Sequence, residues 1–204
     1  MDEKGTPDSS NRNRLILSCV VMLIILFGIT ALILYFVYRP SKPQFSVASL
    51  SVYALTNNVS SQYHNLLCTS MQFTFVLNNP NDRVGIFYDR LLVNVYYHDE
   101  PITPPVDLLP ISQEPAGTCA LSPVLGAPSV PVSGDALTQL MEDQVNGVVG
   151  LKVVVSGRVR YKSNLYKTRW SMLYVTCDLA VGLKKGGTGT DLPLLSDPQC
   201  LVEA

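Results

Sequence analysis

"LKVVVSGRVRYK", residues 151–162, alternates with a period of two: Leu151, Val153, Val155, Val159 and Tyr161 fall on one face, and Lys152, Ser156, Arg158, Arg160 and Lys162 on the other. Successive side chains of an extended chain point to opposite sides, so this run reads as a strand with one face against a core and the other in water. The pattern recurs outward from it. In "MQFTFVL", residues 71–77, Met71, Phe73, Phe75 and Leu77 share a face with Gln72 and Thr74 opposite, and further on Leu91, Val93, Val95 and Tyr97 share one opposite Asn94. Residues 45–54 and 168–181 read as two more strands. No long helical repeat separates these runs, and no fixed-period internal repeat is evident.

The connections carry their own signals. "NNPNDRVGIFYDR", residues 78–90, is rich in groups that acid–base chemistry uses, yet it lies between two strands. Pro80 removes a ladder donor and pushes Asn79 toward extended backbone, Asn and Asp side chains bond their own backbone in turns, and Gly85 permits a bulge. The stretch therefore reads as a bend. In "SGDALTQLMEDQVNG" the residues Leu137, Leu140, Met141 and Val145 fall on one helical face, Ser133 or Asp135 can cap the start, and Gly147 can end it. Eight prolines from Pro101 to Pro131 leave room there only for short, interrupted strands or extended loop. Several short antiparallel strands with one helix predict an all-β sandwich of two sheets.

"LILSCVVMLIILFGITALILYFVY", residues 15–38, contains no charged residue. At about 1.5 Å per residue such a helix spans the roughly 30 Å hydrocarbon layer. The apolar core of a cleaved leader is shorter, about 7–15 residues, and ends at small residues. This run ends in Tyr35, Phe36, Val37, Tyr38 and Arg39, an aromatic belt followed by a charge, which suits a retained anchor. The expected organisation is a cytoplasmic tail (1–14), one transmembrane helix (15–38), a linker (39–44) and a β-sandwich domain with a flexible C-terminal tail (45–204). Lys4, Arg12 and Arg14 before the span, against Arg39 and Lys42 after it, favour a cytoplasmic N-terminus. The acceptor Asn58-Val59-Ser60 and the even number of cysteines beyond the span, Cys68, Cys119, Cys177 and Cys200, point the same way.

Cys177 shares strand parity with Leu173, Val175 and Leu179, and Cys200 follows the glycine-rich "KKGGTGT", residues 184–190. A Cys177–Cys200 bridge would tie the C-terminal tail to the sheet; Cys68 with Cys119 is the second candidate pair, and buried free thiols are the alternative. Catalytic constellations are scarce. His64 and His98 lack the spacing of a zinc site, Asp99 and Glu100 are adjacent and so point to opposite sides of a strand, and no Gly-x-Ser-x-Gly elbow or phosphate-binding loop occurs. The expectation is no metal, no cofactor and no enzyme. The formal net charge of −1 gives no case for nucleic acid. One patterned charge feature remains: Lys152, Arg158, Arg160 and Lys162 line the outward face of one strand, a surface for an anionic partner or a solvated face guarded against edge pairing.

The short polar N-terminus, the single span, "NNPNDRVGIFYDRLLVNVYY" and "WSMLYVTCDLAVGL" together resemble the plant NDR1/HIN1-like membrane proteins, whose outer part is a late embryogenesis abundant type 2 domain. Asn79-Pro80-Asn81, Gly85-Ile86-Phe87-Tyr88-Asp89 and Cys177-Asp178 carry the likeness, which runs from about Leu15 to the end. It implies an immunoglobulin-like or fibronectin-like sandwich, a plasma-membrane location, and a binding role in defence or stress responses. Partner classes are the bilayer through residues 15–38, and a cell-wall polysaccharide, an anionic lipid or another membrane protein beyond it. A lipid-binding domain is the alternative function; a type II membrane enzyme such as a glycosyltransferase fits less well, because no Asp-x-Asp motif is present.

Overall fold

The computed structural model describes residues 9–57, 65–163, 166–182, 191–195 and 199–203. The chain divides into two compact units, Met1–Arg39 and Pro40–Ala204. The first is a helix, α1 (Ser9–Tyr38), within which Arg12–Phe36 is long and apolar enough to cross a membrane. Its leucines, isoleucines and phenylalanines are exposed along the whole length, as an apolar solvent requires. Thr30 returns its hydroxyl to the carbonyl of Leu26 (3.0 Å), so that donor is satisfied within the helix.

The second unit contains β1 (Gln44–Asn57), β2 (Leu66–Asn78), β3 (Gly85–Tyr97), β4 (Glu100–Pro101), β5 (Val106–Leu108), β6 (Ile111–Gln113), β7 (Thr118–Leu121) and β8 (Val124–Pro131). Then follow α2 (Gly134–Asn146), β9 (Val148–Lys162), β10 (Ser171–Gly182), β11 (Asp191–Leu192) and β12 (Leu201–Glu203). Among the described residues these strands form two antiparallel sheets. One runs β11-β1-β2-β7, with β8 also on β2; the other runs β12-β10-β9-β3-β4, with β5 and β6 also on β3. The structure is thus the expected β-sandwich. Every inward position of the 151–161 alternation is buried, and so are Met71, Phe73, Phe75 and Leu77. Strands 45–54 and 168–181 are present as β1 and β10, and the proline-rich stretch supplies the short strands β4 to β8.

The two layers are joined by apolar contact and by a few buried polar bonds. Phe45 of β1 meets Tyr88 of β3 edge-on, ring centroids 6.0 Å apart. The Tyr88 hydroxyl donates to Gln113 (3.1 Å), and Gln113 Nε2 in turn donates to the carbonyls of Leu77 (2.9 Å) and Gly117 (2.7 Å). A buried phenol needs such a partner, and burial pushes its ionisation well above the ordinary tyrosine value.

Of the 78–90 stretch only residues 78–84 form the bend, a firmly built one, whereas residues 85–90 already belong to β3, paired with β9 and β6. Buried Asn79 donates through Nδ2 to the carbonyls of Val84 (2.8 Å) and Glu114 (3.0 Å), while its Oδ1 accepts from the backbone N–H of Asn81 (3.0 Å). Asn81 Oδ1 accepts from the Ser41 N–H (2.7 Å) and its Nδ2 donates to the Ser41 carbonyl (3.0 Å), holding the chain just before β1. The polar side chains thus satisfy backbone groups.

Two expectations are corrected. The bulge sits not at Gly85 but between Asp89 and Leu92, where Arg90 has φ 53°. Space for it comes from Gly157 on the neighbouring strand, because a Cβ there would lie 2.7 Å from Leu91 Cδ2 and 2.9 Å from the Arg90 carbonyl. The bulge shifts parity, so Ile86 and Tyr88 face inward together with Leu91, Val93 and Val95. In α2, Ser133 caps the N-terminus by accepting from the Ala136 N–H, and Gly147 (φ 80°) closes the C-terminus. Its buried stripe is Ala136, Leu137 and Leu140, whereas Met141 and Val145 are 48% and 76% exposed, so the apolar face is narrower than the spacing suggested.

Candidate functional site

β9 lies between β10 and β3, and its outward side chains therefore meet neighbours from both. Register sets Arg160 opposite Phe87 and Arg158 opposite Asp89 on one side, and Arg158 opposite Met172 on the other. Arg158 Nη2 donates to Asp89 Oδ2 at 2.5 Å, a charge-assisted bond. The Arg160 guanidinium lies over the rings of Trp170 (4.5 Å) and Phe87 (5.1 Å), and Arg158 lies 5.3 Å from Trp170. Phe87 and Trp170 pack edge to face at 5.8 Å. Cations over aromatic faces gain roughly 0.5–1 kcal/mol at exposed sites. This stacking also accounts for the two arginine Nε atoms that are buried without a hydrogen-bond partner: each guanidinium is oriented by its neighbouring ring rather than by an acceptor at Nε.

At the far end of β9, Lys152 donates to Asp99 (2.6 Å). Asp99 is delivered by a two-residue hairpin turn in which His98 and Asp99 have φ 46° and 65°. The hydrogen bond and the adjacent ammonium hold the Asp99 carboxyl below its ordinary range, and the same contact raises Lys152. Lys162 is exposed and bridges to Lys167 across the β9–β10 hairpin. The four cations expected to act together are therefore divided. Lys152 and Lys162 stand ten residues apart along one strand, about 33 Å. Lys152 and Arg158 are neutralised within the fold, which leaves Arg160 and Lys162 as the members of the row without a carboxylate partner among the described residues.

The cysteines separate cleanly. Cys177 and Cys200 form a disulfide, Cα atoms 4.4 Å apart, that ties the C-terminal segment to β10. Cys68 and Cys119 are free thiols. Cys119 pairs with Leu77 near one end of β2, whereas Cys68 lies nine residues back along that strand, about 30 Å away, so the second candidate bridge does not form. The acceptor Asn58, His64 and the glycine-rich 184–190 lie outside the described residues. Among the described residues no group of three or more His, Cys, Asp or Glu side chains is placed to hold a metal ion.

Phe87, Asp89 and Trp170, which set the geometry of this face, were not singled out in the sequence as its members. Phe87 and Asp89 share outward parity in "GIFYD", a signal visible in the alternation, but the position of Trp170 depends on how the β9–β10 hairpin closes.

A family model described as "Late embryogenesis abundant protein" matches residues 74–177. NDR1/HIN1-like protein 1 of Arabidopsis thaliana is 35% identical over 176 residues, covering 86% of this chain and 83% of its own length. NDR1/HIN1-like protein 12 of the same plant is 32% identical over 170 residues (83% and 79%), and NDR1/HIN1-like protein 26 is 27% identical over 179 residues (88% and 81%).

Proposed function

The chain belongs to the late embryogenesis abundant family, within its NDR1/HIN1-like group, and on that footing we propose that it is a membrane-anchored, non-enzymatic binding module of a plant defence or stress response. In this reading α1 crosses the plasma membrane with its N-terminus in the cytosol, and the sandwich lies outside. The observation that carries it is the Cys177–Cys200 disulfide in a chain that also holds a helix of hydrocarbon length, because such bridges persist outside the reducing cytosol. The binding element is the outer face of β3, β9 and β10, where Arg160 is stacked on Phe87 and Trp170.

An acyl chain held between the sheets is the less favoured reading. That space is filled by Phe45, Phe73, Phe75, Tyr88 and Tyr97, each at most 2% exposed, and a lipid tail would have to displace them. The test is a sealed-microsome preparation of the full chain. Retention in the pellet at alkaline pH, with a mobility shift that N-glycosidase removes and Ser60→Ala abolishes, is the expected result. Release into the supernatant, or an unmodified Asn58 together with free Cys177 and Cys200, would refute the reading.

A further inference from the structure

We propose that the pole of the sandwich where the chain enters β1 is a docking surface for an anionic lipid bilayer, with Trp170 seated among the headgroups. The inference rests on the anchored reading above and adds a second contact to it.

Register fixes what lies at this pole. Gln44 pairs with Asn78, Gly85 with Lys162 and Ser171 with Val159, so the starts of β1, β3 and β10 gather with the ends of β2 and β9. This assembles Arg83, Arg160, Lys162, Lys167, Arg169 and Trp170 on loops and strand ends of one region. Among the described residues the carboxylates nearby are fewer: Asp82 and Glu114 are exposed, Glu203 lies on β12 opposite Tyr174, and Asp89 is engaged by Arg158. The opposite pole, at α2 and the β3–β4 turn, carries Asp99, Glu100, Asp135, Glu142, Asp143 and Asp178, and among the described residues only Lys152 opposes them. Among the described residues the charges of this nearly neutral chain are thus divided between its two poles.

The basic end is built against its own electrostatics. Lys162 and Lys167 are direct cross-strand partners, held there by the Ser163 N–H to Tyr166 carbonyl bond (2.8 Å) and the Thr168 N–H to Tyr161 carbonyl bond (2.9 Å). Like charges opposite each other destabilise a ladder, and no carboxylate among the described residues forms an ion pair with either. An external anion relieves that repulsion. Beside them the Trp170 ring, 37% exposed and stacked under Arg160, presents an apolar body with a polar edge, the chemistry found where protein meets a bilayer surface. The connection favours a lipid surface over an acidic polysaccharide. Residues 39–43 separate the hydrocarbon-length helix from β1, at most about 18 Å of extended chain, and they enter at this pole.

Trp170 is the only tryptophan, so its emission reports the contact directly. The full chain is reconstituted in nanodiscs of phosphatidylcholine alone or with roughly one third phosphatidylglycerol, each with or without headgroup-quencher lipid. The expected result is a blue-shifted, quenched emission in anionic discs that is lost at about 1 M salt, where the screening length falls to roughly 3 Å. The same loss is expected in a Lys162→Gln, Lys167→Gln, Arg169→Gln variant that is still retained in the discs. Equal emission in neutral and anionic discs, quenching indifferent to the variant, or binding of soluble polygalacturonate without any lipid-dependent change would overturn the docking surface. Release of the chain from the discs at alkaline pH would instead overturn the anchor itself, so the two failures are distinguishable.

Discussion

Replacing Cys177 and Cys200 together by alanine removes a cross-link between residues 23 positions apart. Closing a loop of that size restricts the unfolded chain by an amount equivalent to about 3 kcal/mol at 25 °C. The folded tail does not hang by sulfur alone. Residues Leu201, Val202 and Glu203 pair with Thr176, Val175 and Tyr174, the Cys200 N–H donates to the Phe45 carbonyl (3.0 Å), and Gln199 bridges to Ser46. These contacts keep the native segment in place, so the loss falls mainly on the unfolded ensemble. For a domain of this size about 3 kcal/mol lowers Tm by roughly 6–12 °C. Differential scanning calorimetry of the detergent-solubilised chain measures it, with the unaltered protein in reductant as the parallel sample. Both samples should fall by similar amounts. A variant melting within about 2 °C of the oxidised parent would show that the bridge adds little stability, and peptide maps of unreduced protein with both cysteines alkylated would show that it does not form.

Asn79→Ala strips partners from the Val84 and Glu114 carbonyls and the Asn81 N–H inside a buried bend, and should cost about 2–4 kcal/mol in urea unfolding; a loss near zero would contradict the network. Gly157→Ala drives a Cβ toward Leu91 and the Arg90 carbonyl, where backbone must shift, and should cost about 1–3 kcal/mol by the same assay. Asp99 should titrate below its ordinary 3.8 in a carboxyl-detected NMR titration and move upward in Lys152→Met, an unchanged midpoint being the contrary result. The sign follows from both partners. The contribution of Asp99 is complete above its unfolded value and fades as pH falls through the lowered folded one; that of Lys152 is complete below 10.5 and fades as pH rises through the raised one.

Much of the sandwich was legible because burial imposes a period of two. The alternation at 71–77 and 151–161 names the buried residues correctly, and the parity of Cys177 with Leu173, Val175 and Leu179 placed its sulfur on the side from which Cys200 is reached. The caps Ser133 and Gly147 were readable since they satisfy local backbone groups. What escaped depends on partners distant in sequence. The bulge at Arg90 needs the room left by Gly157, sixty-seven positions later, and nothing in "FYDRLL" announces it. The charge row looked like one ladder because parity is local. Only the strand order β10-β9-β3 shows that Asp89 engages Arg158, that Asp99 engages Lys152, and that Arg160 rests on two rings. Met141 and Val145 failed for a related reason: helical spacing gives a stripe, but the width of the surface it covers is set by the sheet beneath.

In the proposed arrangement the apolar helix retains the chain in a bilayer with its sandwich on the side away from the cytosol. Protease digestion of sealed microsomes, followed by detection of a C-terminal epitope, reads out that sidedness. A protected fragment of nearly full length, degraded only after detergent opens the vesicles, is expected; loss of the epitope in intact vesicles would place the sandwich in the cytosol instead.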